Sequence, residues 1–183
     1  MWRLRAKRKA KSDTALHYCM ATQLSNSEQS AKTETFAPAA TRADTAQRPL
    51  WVLDTNIVLD VFLFADPAAQ PLREALAQAH IRWISTAPMR EELARVLGYP
   101  HIAKRMDFYQ RSAEDLLHAY DTHSHTVDVA PRAPLRCKDP DDQCFIDLAL
   151  AHKAGLLSKD GAVLCMAKRL RVLGVPYVGS AFC

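Results

Sequence analysis

A chain of 183 residues, 49% apolar and 24% charged, suits one domain with a tail, and its composition is globular rather than disordered or fibrous. Five glycines, no two adjacent, exclude the glycine-rich phosphate loops, and no apolar run approaches the ~18 residues of a membrane-spanning helix. The net charge of +4 belongs to one end: residues 1–48 hold nine Lys or Arg against four Asp or Glu, a net of +5, which leaves −1 over 49–183. Basicity therefore gives no argument that the folded part binds nucleic acid.

Residues 1–48 are rich in Ser, Thr, Ala and Gln and lack a sustained apolar period, so they read as a disordered basic leader. The cluster from Arg3 to Lys11 offers charge to RNA or to a membrane surface. A solvated leader, or a start codon assigned too far upstream, accounts for it more simply. No apolar run follows it, so it does not read as a secretory signal.

The character changes at Pro49. Leu50 to Leu53 is a short apolar run of the kind found in a buried parallel strand. Asp54-Thr55-Asn56 ends it, and Ile57 to Phe64 follows as a short helix. Pro71 to Ala79 is predicted helical, and Ile81 to Ser85 a second strand. A helix with Pro88 in its first turn runs to Leu97, where Gly98 and Pro100 stop it. Phe108 to Tyr120 is a further amphipathic helix, and Thr126 to Val129 a strand closed by Pro131 and Pro134. Asp139-Pro140 opens a helix that runs to His152 and ends at Gly155. Leu156 to Ser158 is a fourth strand, Ala162 to Leu170 a helix, and Pro176 to Val178 a last strand. Alternating strands and helices give an α/β domain over 49–183 with a mainly parallel sheet. Sites in such sheets form at the carboxyl edge. That singles out Asp54, Ser85 and Lys159-Asp160.

The cysteines, at 19, 137, 144, 165 and 183, form no CxxC pair and read as free thiols in a reducing cytoplasm. His123 and His125 form an HxH with no third ligand nearby, and read as surface histidines in a loop.

Acids stand in four places near that edge: Asp54, the pair Glu91-Glu92, the group Asp139, Asp141 and Asp142, and Asp160. Each alone has a plain structural role, as a helix cap, a first-turn acid or a turn residue. Together they carry more weight. Two like charges ~4 Å apart repel by about 4 kcal/mol at an effective dielectric near ~20. Such a cluster must raise its pKa values or hold cations. Carboxylate oxygens without thiolate or paired imidazole select Mg²⁺ or Mn²⁺, which suits phosphodiester hydrolysis.

Leu53-Asp54-Thr55-Asn56, Ser85 through Glu91-Glu92-Leu93, the run Cys137 to Ala149 and Leu157-Ser158-Lys159-Asp160 occur in the order of a PIN domain. From about Leu50 to Phe182 the chain resembles the PIN group of toxins from toxin–antitoxin pairs. It carries that group's D-P-D-D-x-x-F-x-x-L-A signature from Asp139 to Ala149. The resemblance implies a PIN-like three-layer fold and a Mg²⁺- or Mn²⁺-dependent endoribonuclease. Its metal-binding and catalytic acids would be Asp54, Glu92, Asp142 and Asp160. Glu92 is preferred over Glu91 because it directly precedes Leu93. Asp142 is preferred because Ala149 lies two helical turns on. Asn56 and Ser158 would support the first acid. Asp139 and Asp141 read as caps or outer groups, and Asp147 as pointing elsewhere on its helix.

Two departures stand out. Ala162 occupies the place of a frequent extra acid, and Lys159 that of a usual Gly. Arg90, Lys159, Lys168 and Arg169 are candidates for RNA phosphates, although a solvated helix face explains each somewhat better. The implied partners are the RNA substrate, with room for a small antitoxin protein and for self-association, and no membrane. The rival readings are a non-catalytic PIN-like module that binds RNA or protein, and a phosphatase with an aspartyl nucleophile. The phosphatase wants a second Asp two residues after the first, where Asn56 stands.

Overall fold

The computed structural model describes residues 48–182, so the leader expected over 1–48, Arg48 apart, lies outside the described residues. Strands β1 (Leu50–Leu53), β2 (Arg82–Ser85), β3 (Ser124–Thr126), β4 (Gly155–Leu157) and β5 (Val178–Gly179) form one sheet. All its pairings are parallel, in the order β3-β2-β1-β4-β5. The helices are α1 (Thr55–Phe62), α2 (Gln70–Ala77), α3 (Ala87–Leu97), α4 (Pro100–Tyr109), α5 (Ala113–His123), α6 (Gln143–His152), α7 (Gly161–Leu164) and α8 (Ala167–Val172). No helix among the described residues is long and apolar enough to cross a membrane.

Three layers follow from alternation along each strand. Leu53, Trp83 and Leu157 face a core shared with Ile57 and Val61 of α1, Leu72 of α2, Leu93 and Leu97 of α3, and Tyr120 of α5. Val52, Ile84 and Leu156 face the other way, onto Phe145, Ile146 and Ala149 of α6 and Leu170 of α8. The central strands β1 and β4 are apolar on both sides because both sides are covered. Ile146, Leu148 and Leu156 have no exposed surface, and burying each contributes about 1.5–3 kcal/mol. Trp83 meets Tyr120 edge-on with ring centroids 4.6 Å apart.

Several boundaries differ from the sequence reading, each for a local reason. α1 begins at Thr55, because Asp54 already has extended N-cap geometry and its carbonyl accepts from Val58 N–H at 3.1 Å. Pro100 does not end a helix; it starts α4, a position where its missing N–H costs nothing. The single helix expected over Phe108–Tyr120 is two. Left-handed Gln110 (φ 52°) ends α4, and the reciprocal Ser112–Asp115 capping box opens α5. β3 begins two residues before Thr126, so His123 closes α5 and His125 lies within the strand rather than in a loop. The helix expected from Asp139-Pro140 starts at Gln143; Asp139 Oδ1 instead accepts from Asp141 N–H at 3.0 Å in a local turn. That helix ends at left-handed Lys153 rather than at Gly155. Gly155 lies in β4, where a Cβ would come within 2.7 Å of the Trp51 ring. The helix over Ala162–Leu170 is broken into α7 and α8. Cys137, Cys144 and Cys165 are free thiols, as expected; Cys19 and Cys183 lie outside the described residues.

Candidate metal centre at the carboxyl edge

The chain runs from β1 outward to β2 and β3, then returns to lay β4 and β5 on the other side of β1. The order reverses between β1 and β4, and at such a switch point the carboxyl ends of the strands open a crevice. The register Leu53↔Leu157 brings Asp54 alongside Ser158. Asp54 N–H extends the ladder to Leu157 C=O at 2.9 Å.

Asp54 is 4% exposed. Its Oδ2 accepts from Ser158 Oγ at 2.5 Å and from Asn56 Nδ2 at 2.7 Å. Burial raises its pKa, and these hydrogen bonds oppose the rise. Ser158, with no exposed surface, donates to Asp54 and accepts from Asp160 N–H at 3.0 Å. Asn56 Oδ1 accepts from Lys159 N–H at 3.1 Å. The supporting roles expected of Asn56 and Ser158 thus correspond to contacts with the first acid and with the loop that carries the fourth. Asp160 caps α7, with Oδ1 accepting from Ala162 N–H at 2.6 Å.

Glu92 lies on α3, half-buried, whereas Glu91 is exposed. Burial raises the Glu92 pKa, Arg95 partly offsets this, and Asp54, Asp141 and Asp139 raise it further. Asp142 occupies the N-cap position of α6, yet its carboxylate makes no capping bond and Oδ2 is buried without a hydrogen-bond partner. Its pKa is pushed up to about 7, first by burial and then by the negative fields of Asp54, Asp160, Asp139 and Glu92. The other three acids chosen from the sequence thus stand within electrostatic reach of Asp142. Asp139 and Asp141 are exposed and contribute from outside. Ser85, the third edge position, is buried at 1% exposure at the end of β2.

Among the described residues, no three His, Cys, Asp or Glu side chains are gathered at the spacing that holds an ion. The donors nonetheless fit a hard divalent cation. They are carboxylate oxygens, one is buried and unpartnered, and their mutual repulsion favours a counter-charge. Nearby Cys144 is pushed up to about 12 by burial, so it stays a neutral thiol.

The basic candidates divide. Arg90 is held by Asp121 of α5, with Nε–Oδ1 at 2.5 Å and Nη2–Oδ2 at 2.7 Å. Lys159 Nζ lies 2.6 Å from Asp60 Oδ2 and 3.4 Å from Asp66 Oδ2. Lys168 and Arg169 are exposed on α8.

Sequence reasoning missed Gln143, and it left Asp147 out of the site without seeing the contacts that it makes there. Gln143 is buried, and its Nε2 donates to Leu135 C=O at 3.0 Å and to Asp147 Oδ1 at 2.6 Å. Its Oε1 accepts from Cys137 N–H at 2.7 Å. Asp147 Oδ1 also accepts from Ala133 N–H at 2.8 Å. The pair thus pins the long loop that delivers Asp142. The available signal was a Gln four residues before an Asp in an otherwise apolar run.

A five-stranded parallel sheet covered by helices on both faces, with carboxylates converging at its switch point, defines an acid-centred α/β domain. A family model, the PIN domain, matches residues 51–160, from the first strand to the last of the four acids, and the chain belongs to that family. The family generally comprises nucleases, which act on RNA and usually use divalent metals. No curated protein and no solved structure matches the chain.

Proposed function

We propose that this chain is a Mg²⁺- or Mn²⁺-dependent endoribonuclease. The observation that carries the reading is the unpartnered Asp142 Oδ2, in a carboxyl whose pKa is raised first by burial and then by the fields of Asp54, Asp160, Asp139 and Glu92. Asp54, Glu92, Asp142 and Asp160 would hold the ion. When bound, such an ion lowers the pKa of water and offsets charge on the phosphoryl group. Ser158 and Asn56 orient the Asp54 carboxylate and oppose the rise that burial gives its pKa. The α7 cap orients Asp160. Lys168 and Arg169 meet RNA phosphates, while Arg90 and Lys159 are already engaged by carboxylates.

The toxin role, with a small antitoxin partner, rests on the D-P-D-D-x-x-F-x-x-L-A run from Asp139, and a reducing cytoplasm as compartment rests on the cysteines, which form no CxxC pair. The test is incubation of the full chain with single-stranded RNA in Mn²⁺ or Mg²⁺. Cleavage that stops in EDTA supports the reading; cleavage that persists removes the metal mechanism. A second reading, a non-catalytic PIN-like module that binds RNA or protein, draws support from the open spacing of the acids. It expects neither cleavage nor a rise in melting temperature with Mn²⁺.

A further inference from the structure

Apart from Asp54, Asp60 is the one acid among the described residues that is buried. It lies on α1, outside the acidic centre. A buried carboxylate needs a partner to remain charged. The cation that serves it is Lys159, at 2.6 Å. The same ammonium reaches Asp66 at 3.4 Å, just before the short helical turn Pro67–Ala69, whose Ala68 N–H Asp66 caps. The Lys159 backbone N–H donates to Asn56 Oδ1 at 3.1 Å. One residue therefore ties the connection between β4 and α7 to the α1 side at three points. Its neighbours in sequence are Ser158, which bonds Asp54, and Asp160.

We propose that Lys159 is a positioning residue for the acidic centre, acting through the buried Asp60. Its side chain runs to α1 and the Pro67 turn, and by fixing the Ser158–Asp160 loop it sets Asp160 against Asp54. Ser158 at one end of this three-residue loop is held by its bonds to Asp54 and Gly179 C=O, and Asp160 at the other by the α7 cap, and the Lys159 side chain fixes the residue between them. Without the clamp it samples more conformations, and a divalent ion must then order it on binding. This inference rests on the metal-dependent reading above. It also separates Lys159 from a role in RNA contact, because the ammonium is taken by two carboxylates.

The experiment titrates Mn²⁺ into the full chain by calorimetry and measures RNA cleavage for wild type, Lys159→Met and Lys159→Arg. Outer partners of metal ligands typically change affinity by about 10–100-fold. Lys159→Met is expected to lose Mn²⁺ affinity in that range, with kcat falling and KM for RNA unchanged. Lys159→Arg, which can still pair with Asp60, is expected to recover most of it. Lys159→Met leaves Asp60 buried and unpaired, so the double variant Asp60→Asn/Lys159→Met decides if the single one fails to fold. It removes the charge together with the clamp and is expected to bind Mn²⁺ as weakly. Wild-type Mn²⁺ affinity in a folded variant lacking the clamp overturns the inference, as does a change confined to KM. If wild type itself binds no Mn²⁺, the metal-dependent reading fails first, a result distinct from either.

Discussion

Ser158 Oγ and Asp54 Oδ2 lie 2.5 Å apart although 104 residues separate them in sequence. The contact joins the ends of β1 and β4 at the point where the strand order reverses. It supplies a donor to a carboxylate with almost no contact with water. Ser158→Ala removes that donor and leaves Asp160 N–H without its acceptor. The variant is expected to lose about 1–3 kcal/mol of stability, the cost of leaving buried polar groups unpaired. It should also lose Mn²⁺ affinity, because the Asp54 pKa then rises further. Melting curves with and without Mn²⁺ check both; an unchanged variant would show that the contact is dispensable.

The raised pKa of Asp142 sets a pH dependence for the metal-free protein. Its carboxyl moves from the unfolded value of 3.8 to about 7 in the folded chain. Between those values the folded state binds the extra proton, so stability falls as pH rises through that window. Asp54 and Glu92 shift the same way and add to the slope. Asp142→Asn is expected to match the parent near pH 4 and to exceed it at pH 8 by about 1–2 kcal/mol, solvent screening allowed for. Urea unfolding at the two pH values in EDTA measures this. A variant no more stable than the parent at pH 8 would mean that the acids do not repel.

Asp147 separates shape from charge. Its Oδ1 accepts two hydrogen bonds, from Ala133 N–H and Gln143 Nε2, and an Asn carbonyl can accept both. Asp147→Asn is expected to cleave RNA and melt close to the parent. Asp147→Ala leaves the half-buried Ala133 N–H and one N–H of the buried Gln143 amide without this acceptor, at about 1–3 kcal/mol, and loosens the loop that carries Asp142. Equal melting temperatures for the Ala and Asn variants would contradict the pinning role.

Gly155→Ala is expected to cost about 1–3 kcal/mol, the usual range for overpacking, since its Cβ would press on the Trp51 ring. Trp51 is itself packed against Tyr177 and Phe182 and cannot readily turn away. Thermal melting decides; no loss would mean that the ring shifts freely.

Removal of residues 1–47 is expected to leave cooperative melting and Mn²⁺ binding intact. Among the described residues, both hydrophobic cores are formed from Leu50 onward. Loss of the melting transition would place part of the leader in the core.

How much of this was legible beforehand depends on the range of the signal. Leu50 to Leu53, the polar Asp54-Thr55-Asn56 after it, and Pro88 at the start of α3 are local features, and each was read correctly. That Asp54 and Ser158–Asp160 lie side by side was legible because strand ends in a parallel sheet share an edge, whereas Glu92 and Asp142, on helices, were singled out by the family resemblance. Pro100 was misread because the same residue marks both the end of one helix and the first turn of the next. Gln110 and Lys153 end helices in left-handed conformations without glycine, so composition carried no mark of either stop. The Gln143–Asp147 pair lies within one helix and carried a local signal that was passed over; what was hidden is the loop it holds, through Ala133 and Leu135. The Asp60–Lys159 pair was invisible for a different reason, because its members lie on α1 and after β4 and only the folded sheet brings them together.

The central claim is tested most directly by RNA cleavage rates in Mn²⁺ for wild type, Asp142→Asn and Asp139→Asn, measured side by side with an EDTA control. Asp139 is exposed and makes only a local turn, which Asn also makes. Wild type and Asp139→Asn are expected to cut at similar rates and to stop in EDTA. Asp142→Asn is expected to fall by about a hundredfold or more, at the upper end of what lost metal affinity produces. Asp142→Asn cutting as fast as wild type, or cleavage that survives EDTA, would contradict the account.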